Sequence, residues 1–470
     1  MNTAMLPSSR QFEAALRIIE KLHASGYEAY LAGGCVRDLV MGREPVDYDV
    51  ATNATPDVVL KMFPRTFAVG AHFGVVLVAG KDADSADETA SRHFSTEVAT
   101  FRSDLAYSDG RHPDGVRYTQ SAQEDVLRRD FTINGMLLDV KKLNDARNSV
   151  RAAVLDYVGG LADLEAGIVR AIGRAETRFE EDHLRMLRAV RFAARFGFEL
   201  EPETRRAIRA LASRVQSVSR ERVRDELTKM LTEGRARKAF ELLDETGLLR
   251  EVLPEIAAMK GVEQPPQFHP EGDVWVHTLM LLEQLPPACS ATLGWGALLH
   301  DVGKPPTFRR APDRIRFDGH VEVGVAMGAE ICRRFRFSND EAHQILALIE
   351  HHMRLADAPC MKSSTLKRFF RLDRFDEHLQ LHRMDCLAAH GNLDIYDFVR
   401  QRRAEMPEEA VRPEPLLTGR ELIAAGYLPG PAFREMLTAV EDAQLEGQIG
   451  STAEAMTLVR ERFGSPAAGA

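Results

Sequence analysis

The sequence predicts an α+β multidomain chain: an N-terminal α/β head followed by an all-α neck, a helical body and a helical tail. Three observations carry this. Short β-rich runs separated by polar Asp/Gly/Ser loops fill the first 160 residues, and apolar residues recur at helical spacing almost everywhere after Gly159-Gly160. Stretches rich in Pro and Gln at 261–270, and in Pro at 407–415, interrupt the helical part as linkers. At 470 residues the chain also exceeds what one ordinary core organises. The expected division is 1–160, 161–262, 263–405 and 406–470.

Taken in order, 11–25 places Phe12, Leu16, Ile19 and Leu22 on one helical face and stops at Gly26. A strand starts in 27–31, and 75–78, 96–101 and 137–140 read as further strands. The polar stretches 82–92 and 102–117 read as exposed loops. Beyond residue 160, Leu184, Leu187, Val190 and Ala194 form an apolar stripe, and 221–232 and 236–248 read as two more helices. A second helical block runs from the first linker to about residue 402. The tail 416–470 is helical with a break at Gly430-Pro431. No internal repeat is present.

Lysines and arginines number 61 against 70 acids, a net charge of −9 that does not advertise nucleic-acid binding. Between Arg170 and Lys238, however, eighteen basic residues stand against eleven acidic ones, enough for a local basic face. Cys35, Cys289, Cys332, Cys360 and Cys386 lack paired metal spacing and suit reduced thiols. With no basic-then-apolar leader and no apolar run of bilayer length, the expectation is a cytoplasmic protein with no membrane partner.

The densest chemistry lies at Leu31-Ala32-Gly33-Gly34-Cys35-Val36-Arg37-Asp38 and at Asp47-Tyr48-Asp49. A glycine pair lets backbone approach a phosphate closely. Two carboxylates at i and i+2 on a strand share a face, so Asp47 and Asp49 together can hold Mg²⁺. These parts describe a grip on a nucleoside triphosphate and a two-metal activation of a hydroxyl.

The pattern resembles the head of the class II tRNA nucleotidyltransferase and bacterial poly(A) polymerase family, whose head has the nucleotidyltransferase fold. Arg128-Arg129-Asp130-Phe131-Thr132-Ile133-Asn134-Gly135 resembles the family's second motif, where Ala is the commoner last residue. Glu181-Asp182-x-x-Arg185-x-x-Arg188-x-x-Arg191-Phe192 resembles its base-selecting motif. The resemblance implies that Gly34, Arg37, Arg129, Arg188 and Arg191 contact the incoming nucleotide, and that a loop within 102–117 works during catalysis. Glu97 is a candidate third carboxylate. Asp130 and Asn134 would hold the ribose or orient the loop, and Arg128 reads as a surface charge.

Asp182 and Arg185, at i and i+3, are expected as neighbours on one helix face. A carboxylate only accepts and a guanidinium only donates. Cytosine and adenine both present an exocyclic amine beside an unprotonated ring nitrogen, which such a pair complements. Uracil and guanine present the inverted pattern and would leave groups unpaired.

His277, His300-Asp301, His320, His351, His352 and Asp385 punctuate the second helical block. His300-Asp301-Val302-Gly303-Lys304 resembles the signature of HD-type metal phosphohydrolases, with His277 before it and Asp385 closing the set. That implies a second divalent metal, a transition metal such as Mn, Fe, Ni or Zn or else Mg, held by His277, His300, Asp301 and Asp385. Lys304-Pro305 would lead the chain out of the helix.

The tail Leu417-Thr418-Gly419-Arg420-Glu421-Leu422, then Gly426 and Pro429-Gly430-Pro431, resembles the tRNA-holding tail of CCA-adding enzymes. The expected activity is addition of C, C and A to tRNA from CTP and ATP, with phosphohydrolysis in the HD-type domain. Poly(A) polymerase, a CC-only or A-only tRNA nucleotidyltransferase, and a phosphohydrolase with an RNA-binding head are the alternatives.

Overall fold

The computed structural model describes residues 9–67, 74–79, 95–104, 115–143, 149–267, 269–270 and 272–465. The chain divides into two compact units, Met1–Pro254 and Glu255–Ala470. As expected, a mixed α/β head is followed by a mostly helical chain.

The strands of the first unit are β1 (Ala29–Ala32), β2 (Asp49–Thr52), β3 (Thr66–Phe67), β4 (Val75–Ala79), β5 (Ser95–Thr100), β6 (Arg102–Asp104), β7 (Val116–Tyr118), β8 (Met136–Leu138) and β9 (Val154–Asp156). Seven of them form one sheet in the order β3-β4-β5-β2-β1-β8-β9. Neighbours run antiparallel except β2 and β5, which are parallel with Val50 opposite Val98. That register aligns Asp49 with Glu97 at the same end of adjacent strands and, by the two-residue side-chain period, on the same face.

The stretch 102–117 is not wholly loop. Its ends pair as β6 and β7, with Ser103 opposite Arg117. The loop expected at 82–92, and the middle of 102–117, lie outside the described residues. The helix Arg10–Ala24 opens on Ser9, whose hydroxyl accepts from the Phe12 N–H, and buries Phe12, Ile18, Ile19 and Leu22. The Phe12 ring lies 5.3 Å from that of Tyr48, the residue between Asp47 and Asp49.

The expected stripe of the neck is buried: Leu184, Leu187, Val190 and Ala194 belong to the helix Leu184–Phe196, which packs against Arg220–Thr232 and Ala236–Glu245. The single helix expected over 236–248 is two, Ala236–Glu245 and Leu248–Val252, with Thr246-Gly247 between them. Arg191 is a correction. It is 5% exposed and donates to Glu226 Oε2 at 2.6 Å and to Glu233 at 3.3 Å, so its charge is consumed inside the neck.

In the second unit the helices Val274–Glu283, Ala291–Leu299, His320–Arg334, Asn339–His351 and Phe375–Ala388 form a bundle. The stretch 261–270 is tied down where it is described: Gln264 is 1% exposed and its N–H donates to Gly272 O. The tail helices Gly419–Ala424, Ala432–Leu445 and Thr452–Phe463 have a small core of their own around Leu422, Met436, Val440 and Val459. Arg368 and Arg371 on the bundle side both reach Glu441, at 2.7 and 2.5 Å. Among the described residues no helix is long and apolar enough to cross a membrane.

Removing one partner of the Arg191–Glu226 pair strands a buried charge. Glu226→Ala is expected to lower stability by about 3–5 kcal/mol in a denaturant titration, and Arg191→Met with Glu226→Leu to recover most of it.

Candidate active sites

The head site starts from a glycine that only glycine can be. Gly33 sits at φ +74, its N–H donates to Met136 O, and a Cβ there would stand 3.1 Å from Arg129 Nη1. The guanidinium of Arg129 thus lies against the backbone of the Gly33-Gly34 turn, from which the helix Gly34–Val40 departs. Asp125, 1% exposed, fixes it there, taking Arg129 Nη2 at 3.0 Å and Arg128 Nη2 at 2.6 Å. Arg128 is therefore no loose surface charge.

Asp47 is exposed, Tyr48 is buried, and Asp49 opens β2, half-buried. Burial first, then the charges of Glu97 and Asp47, push the Asp49 carboxyl up to about 7, with Arg129 working against them. Glu97 is raised by burial and by Asp47. Three hard-oxygen carboxylates with one arginine nearby are a set that a divalent cation such as Mg²⁺ fits.

A chain of polar contacts runs inward from this turn. Arg37, 4% exposed, donates to Asp38 Oδ1 at 2.8 Å and to Asn134 Oδ1 at 2.6 Å, and its guanidinium lies 4.5 Å over the Phe196 ring. Burial lowers its pKa. Asn134 donates to Asp130 Oδ1 at 3.3 Å, and Asp130 Oδ2 accepts Arg188 Nε and Nη2 at 2.9 and 2.7 Å. Burial alone would raise the Asp130 carboxyl; the Arg188 charge and these hydrogen bonds outweigh it and hold it below the usual range.

Asp182 and Arg185 do not share a helix as expected. Asp182 sits in extended backbone between the helices Ala175–Glu181 and Leu184–Phe196, where its Oδ1 accepts from the Leu184 N–H. It is thus a cap, and the Arg185 N–H to Asp182 O bond keeps the two residues one turn apart. Nor do they pair. Arg222 donates to Asp182 Oδ2 at 2.7 Å, and Arg185 Nη1 donates to Glu181 at 2.5 Å. Arg185 Nη2 has no acceptor among the described residues. Arg222 and Asp125, both missed in the sequence, come from 40 residues downstream of Asp182 and four upstream of Arg129; only the i, i+4 spacing of the latter was a legible signal.

In the second unit His300 caps the helix Ala291–Leu299 and Asp301 occupies the turn after it. That turn, not a helix face, lets two consecutive side chains converge. Lys304-Pro305 starts another short helix, Lys304–Thr307, instead of leading the chain away. Gly303 allows the approach: a Cβ there would stand 2.0 Å from His320 O, on the first residue of the helix His320–Arg334.

Asp301, 2% exposed, is the hub. Its Oδ2 faces His300 Nε2 at 3.1 Å, His277 Nε2 at 4.0 Å and Lys304 Nζ at 2.7 Å. Its Oδ1 faces His352 Nε2 at 3.7 Å and His320 Nε2 at 4.0 Å. Two triads, His277/His300/Asp301 and Asp301/His320/His352, each have ligand atoms within 4.8 Å of one another. Asp385 Oδ1 lies 3.0 Å from His277 Nε2.

The tautomers fit a metal. The Nδ1 atoms of His300, His320 and His352 bond to the carbonyls of Ala297, Phe317 and Ile349 at 2.8, 3.0 and 2.7 Å, so each ring carries its proton on Nδ1. The Nε2 lone pairs of His320 and His352 are then buried and without a hydrogen-bond partner, aimed at a carboxylate that repels them. A cation between them removes the conflict. Burial lowers His352 to about 4, the neutral form that a metal would require, and Asp301 lies well below the usual carboxylate range because the charges of His300 and Lys304 outweigh its burial. His351 is a correction: its ring packs against Phe369 and His378, away from the cluster.

Residues 29–170 match the family described as the poly A polymerase head domain. Residues 197–260 match the probable RNA and SrmB-binding site of polymerase A, and 273–389 match the HD domain. The CCA-adding enzymes of Lactobacillus johnsonii and Geobacillus thermodenitrificans are 38% and 41% identical to the chain over 276 and 237 residues, 58% and 50% of it. The matched stretch spans 64% and 54% of those relatives. Among solved structures, the Bacillus stearothermophilus CCA-adding enzyme in complex with CTP superposes with TM-score 0.71 at 26% identity, over 97% of this chain and 99% of that one. The Thermotoga maritima CCA-adding enzyme complexed with tRNA, at 16% identity and TM-score 0.57, covers 95% of this chain and 94% of that one and shares the fold.

A cation held by the head's carboxylates would compete with a proton on Asp49. The Mn²⁺ affinity component lost in Asp49→Asn is expected to weaken about tenfold for each pH unit below 7 and to level off above it, read by electron paramagnetic resonance.

Proposed function

We propose that the protein adds C, C and A to the 3′ end of tRNA from CTP and ATP without a nucleic-acid template, releasing pyrophosphate. The observation that carries this reading is the placement of Asp182 and Arg185 one helical turn apart in the same compact unit as Asp47, Asp49 and Arg129. Similarity to enzymes named for CCA addition supports it.

Mg²⁺ held by Asp47 and Asp49, with Glu97 as a further carboxylate, would lower the pKa of the attacking 3′-hydroxyl and offset the triphosphate charge. The Gly34 backbone and Arg129 face the triphosphate. Asp182 accepts from the exocyclic amine of cytosine or adenine, and Arg185 donates to the adjacent ring nitrogen. Arg222 positions Asp182, while Asp130, Asn134, Arg37 and Arg188 hold the surrounding surface. In this reading 1–160 is catalytic, 161–262 selects the base and binds RNA, 263–405 is the HD-type domain, and 406–470 holds tRNA, all in the cytoplasm.

Incubation of tRNA lacking its end with each nucleotide tests the reading. Expected is C, C, then A, and a stop; long homopolymer A on unrelated RNA would instead indicate a poly(A) polymerase, and C without A a split activity. Asp49→Ala should remove incorporation while tRNA binding stays within a few fold. Arg222→Ala should raise the fraction of U incorporated and the KM for CTP about tenfold, with Arg222→Lys restoring part.

The two triads sharing Asp301 favour a second activity, metal-dependent hydrolysis of a phosphomonoester or 2′,3′-cyclic phosphate. Water adds to phosphorus, the P–O ester bond breaks, and the released oxygen takes the proton. His300→Ala and Asp301→Ala should abolish it with CCA addition intact. Simultaneous loss of both activities in folded variants would show that the sites are coupled.

A further inference from the structure

A cavity of about 680 Å³ opens beside the HD-type cluster, with His320, His352 and Asp385 on its wall. That is far more room than a phosphate fills, and within the range of small-molecule sites. Much of the remaining wall is apolar, from Phe317, Met353, Ala356 and Ile395. At the rim, where the helix Phe375–Ala388 has ended and Asp394–Glu405 begins, stand His390 and Asn392.

Local backbone fixes what these two can offer. The Asn392 N–H donates to His390 Nδ1 at 3.0 Å, so the neutral ring carries its proton on Nε2. The Asp394 N–H donates to Asn392 Oδ1 at 2.7 Å, so the side-chain amide turns its NH₂ the other way. His390 Nδ1 and one lone pair of Asn392 Oδ1 are thereby used, which leaves the His390 Nε2–H and the Asn392 NH₂ to donate. No described residue accepts from either.

Two neutral donors beside an apolar wall match a nucleobase, whose flat face is apolar and whose edge carries carbonyl oxygens or ring nitrogens. They match a second phosphate poorly. Among the residues lining the cavity Lys304 is the one lysine or arginine, and it is already committed to Asp301 at 2.7 Å and to Gln264 Oε1 at 2.6 Å.

We propose that His390 and Asn392 are specificity-determining residues of the HD-type site, donating to the base of a nucleotide phosphoester whose phosphate lies at the His320–His352–Asp385 end. The proposal rests on reading the HD-type cluster as a phosphoester site.

The test uses the full chain with Mn²⁺, comparing adenosine 2′,3′-cyclic phosphate with the base-free anhydroribitol cyclic phosphate. Expected is a KM at least about tenfold lower for the nucleotide. Asn392→Asp keeps the acceptor that bonds Asp394 but replaces the donor. It and His390→Ala should each raise the nucleotide KM about tenfold with kcat retained, leaving the base-free substrate unchanged. Equal KM values in the parent chain, or unchanged values in both variants, would overturn the proposal. If neither substrate turns over with Mn²⁺, Mg²⁺, Ni²⁺ or Co²⁺, the hydrolytic reading fails and binding decides. Equilibrium dialysis of adenosine 2′-monophosphate, in the full chain carrying Asp49→Ala to remove the head's metal, must then show base-dependent affinity lost in Asn392→Asp. Absent or base-independent binding overturns the rim.

Discussion

Asp130 is the carboxylate on which the first unit turns. It is buried, it faces Arg188 with one oxygen, and it faces Asn134 and its own neighbour's backbone with the other. Through Asn134 it reaches Arg37 and the glycine turn; through Arg188 it reaches the helix that follows Asp182. Remove that carboxylate and a buried guanidinium loses its counter-charge while an amide loses its acceptor. The glycine turn and the helix Leu184–Phe196 would then be joined by contacts without a buried counter-charge, such as that of the Arg37 guanidinium with the Phe196 ring.

The second unit uses a different device. Histidines on three separate helices and turns are aligned by the carbonyl three residues back in the chain, a local bond made at His300, His320 and His352. The bundle has only to bring the helices to the right distance; the orientation of each ring is settled within its own turn. This explains why a tight contact such as that of Gly303 with the start of the next helix matters there, since distance is the one quantity left to tertiary packing.

Much of this was legible in the sequence. The glycine pair, the spaced aspartates, the His-Asp dipeptide and the apolar stripe of the neck all express themselves over one or two turns of chain, where spacing decides geometry. The failures have a common cause in angle and capping. Asp182 and Arg185 have helical spacing, but Asp182 stops one helix and starts the next, and no period reveals that. Arg188 and Arg191 are three residues apart yet face Asp130 and Glu226 respectively, because each step winds the side chain further round. His351 and His352 are adjacent, about 100° apart, and a histidine pair does not say which ring faces the metal. Arg222 and Glu226 act on partners 35 to 40 residues earlier, a distance over which composition is silent.

One feature of the HD-type cluster reaches beyond recognition. A single carboxylate supplies one oxygen to each triad, so two cations there would draw on the same unit of negative charge, part of which Lys304 already offsets. The first ion to arrive would leave Asp301 with less negative charge to offer the second. Occupancy would then rise in two well-separated steps of metal concentration, making the extent of loading, and with it any chemistry that requires both positions, a graded readout of how much free metal surrounds the protein.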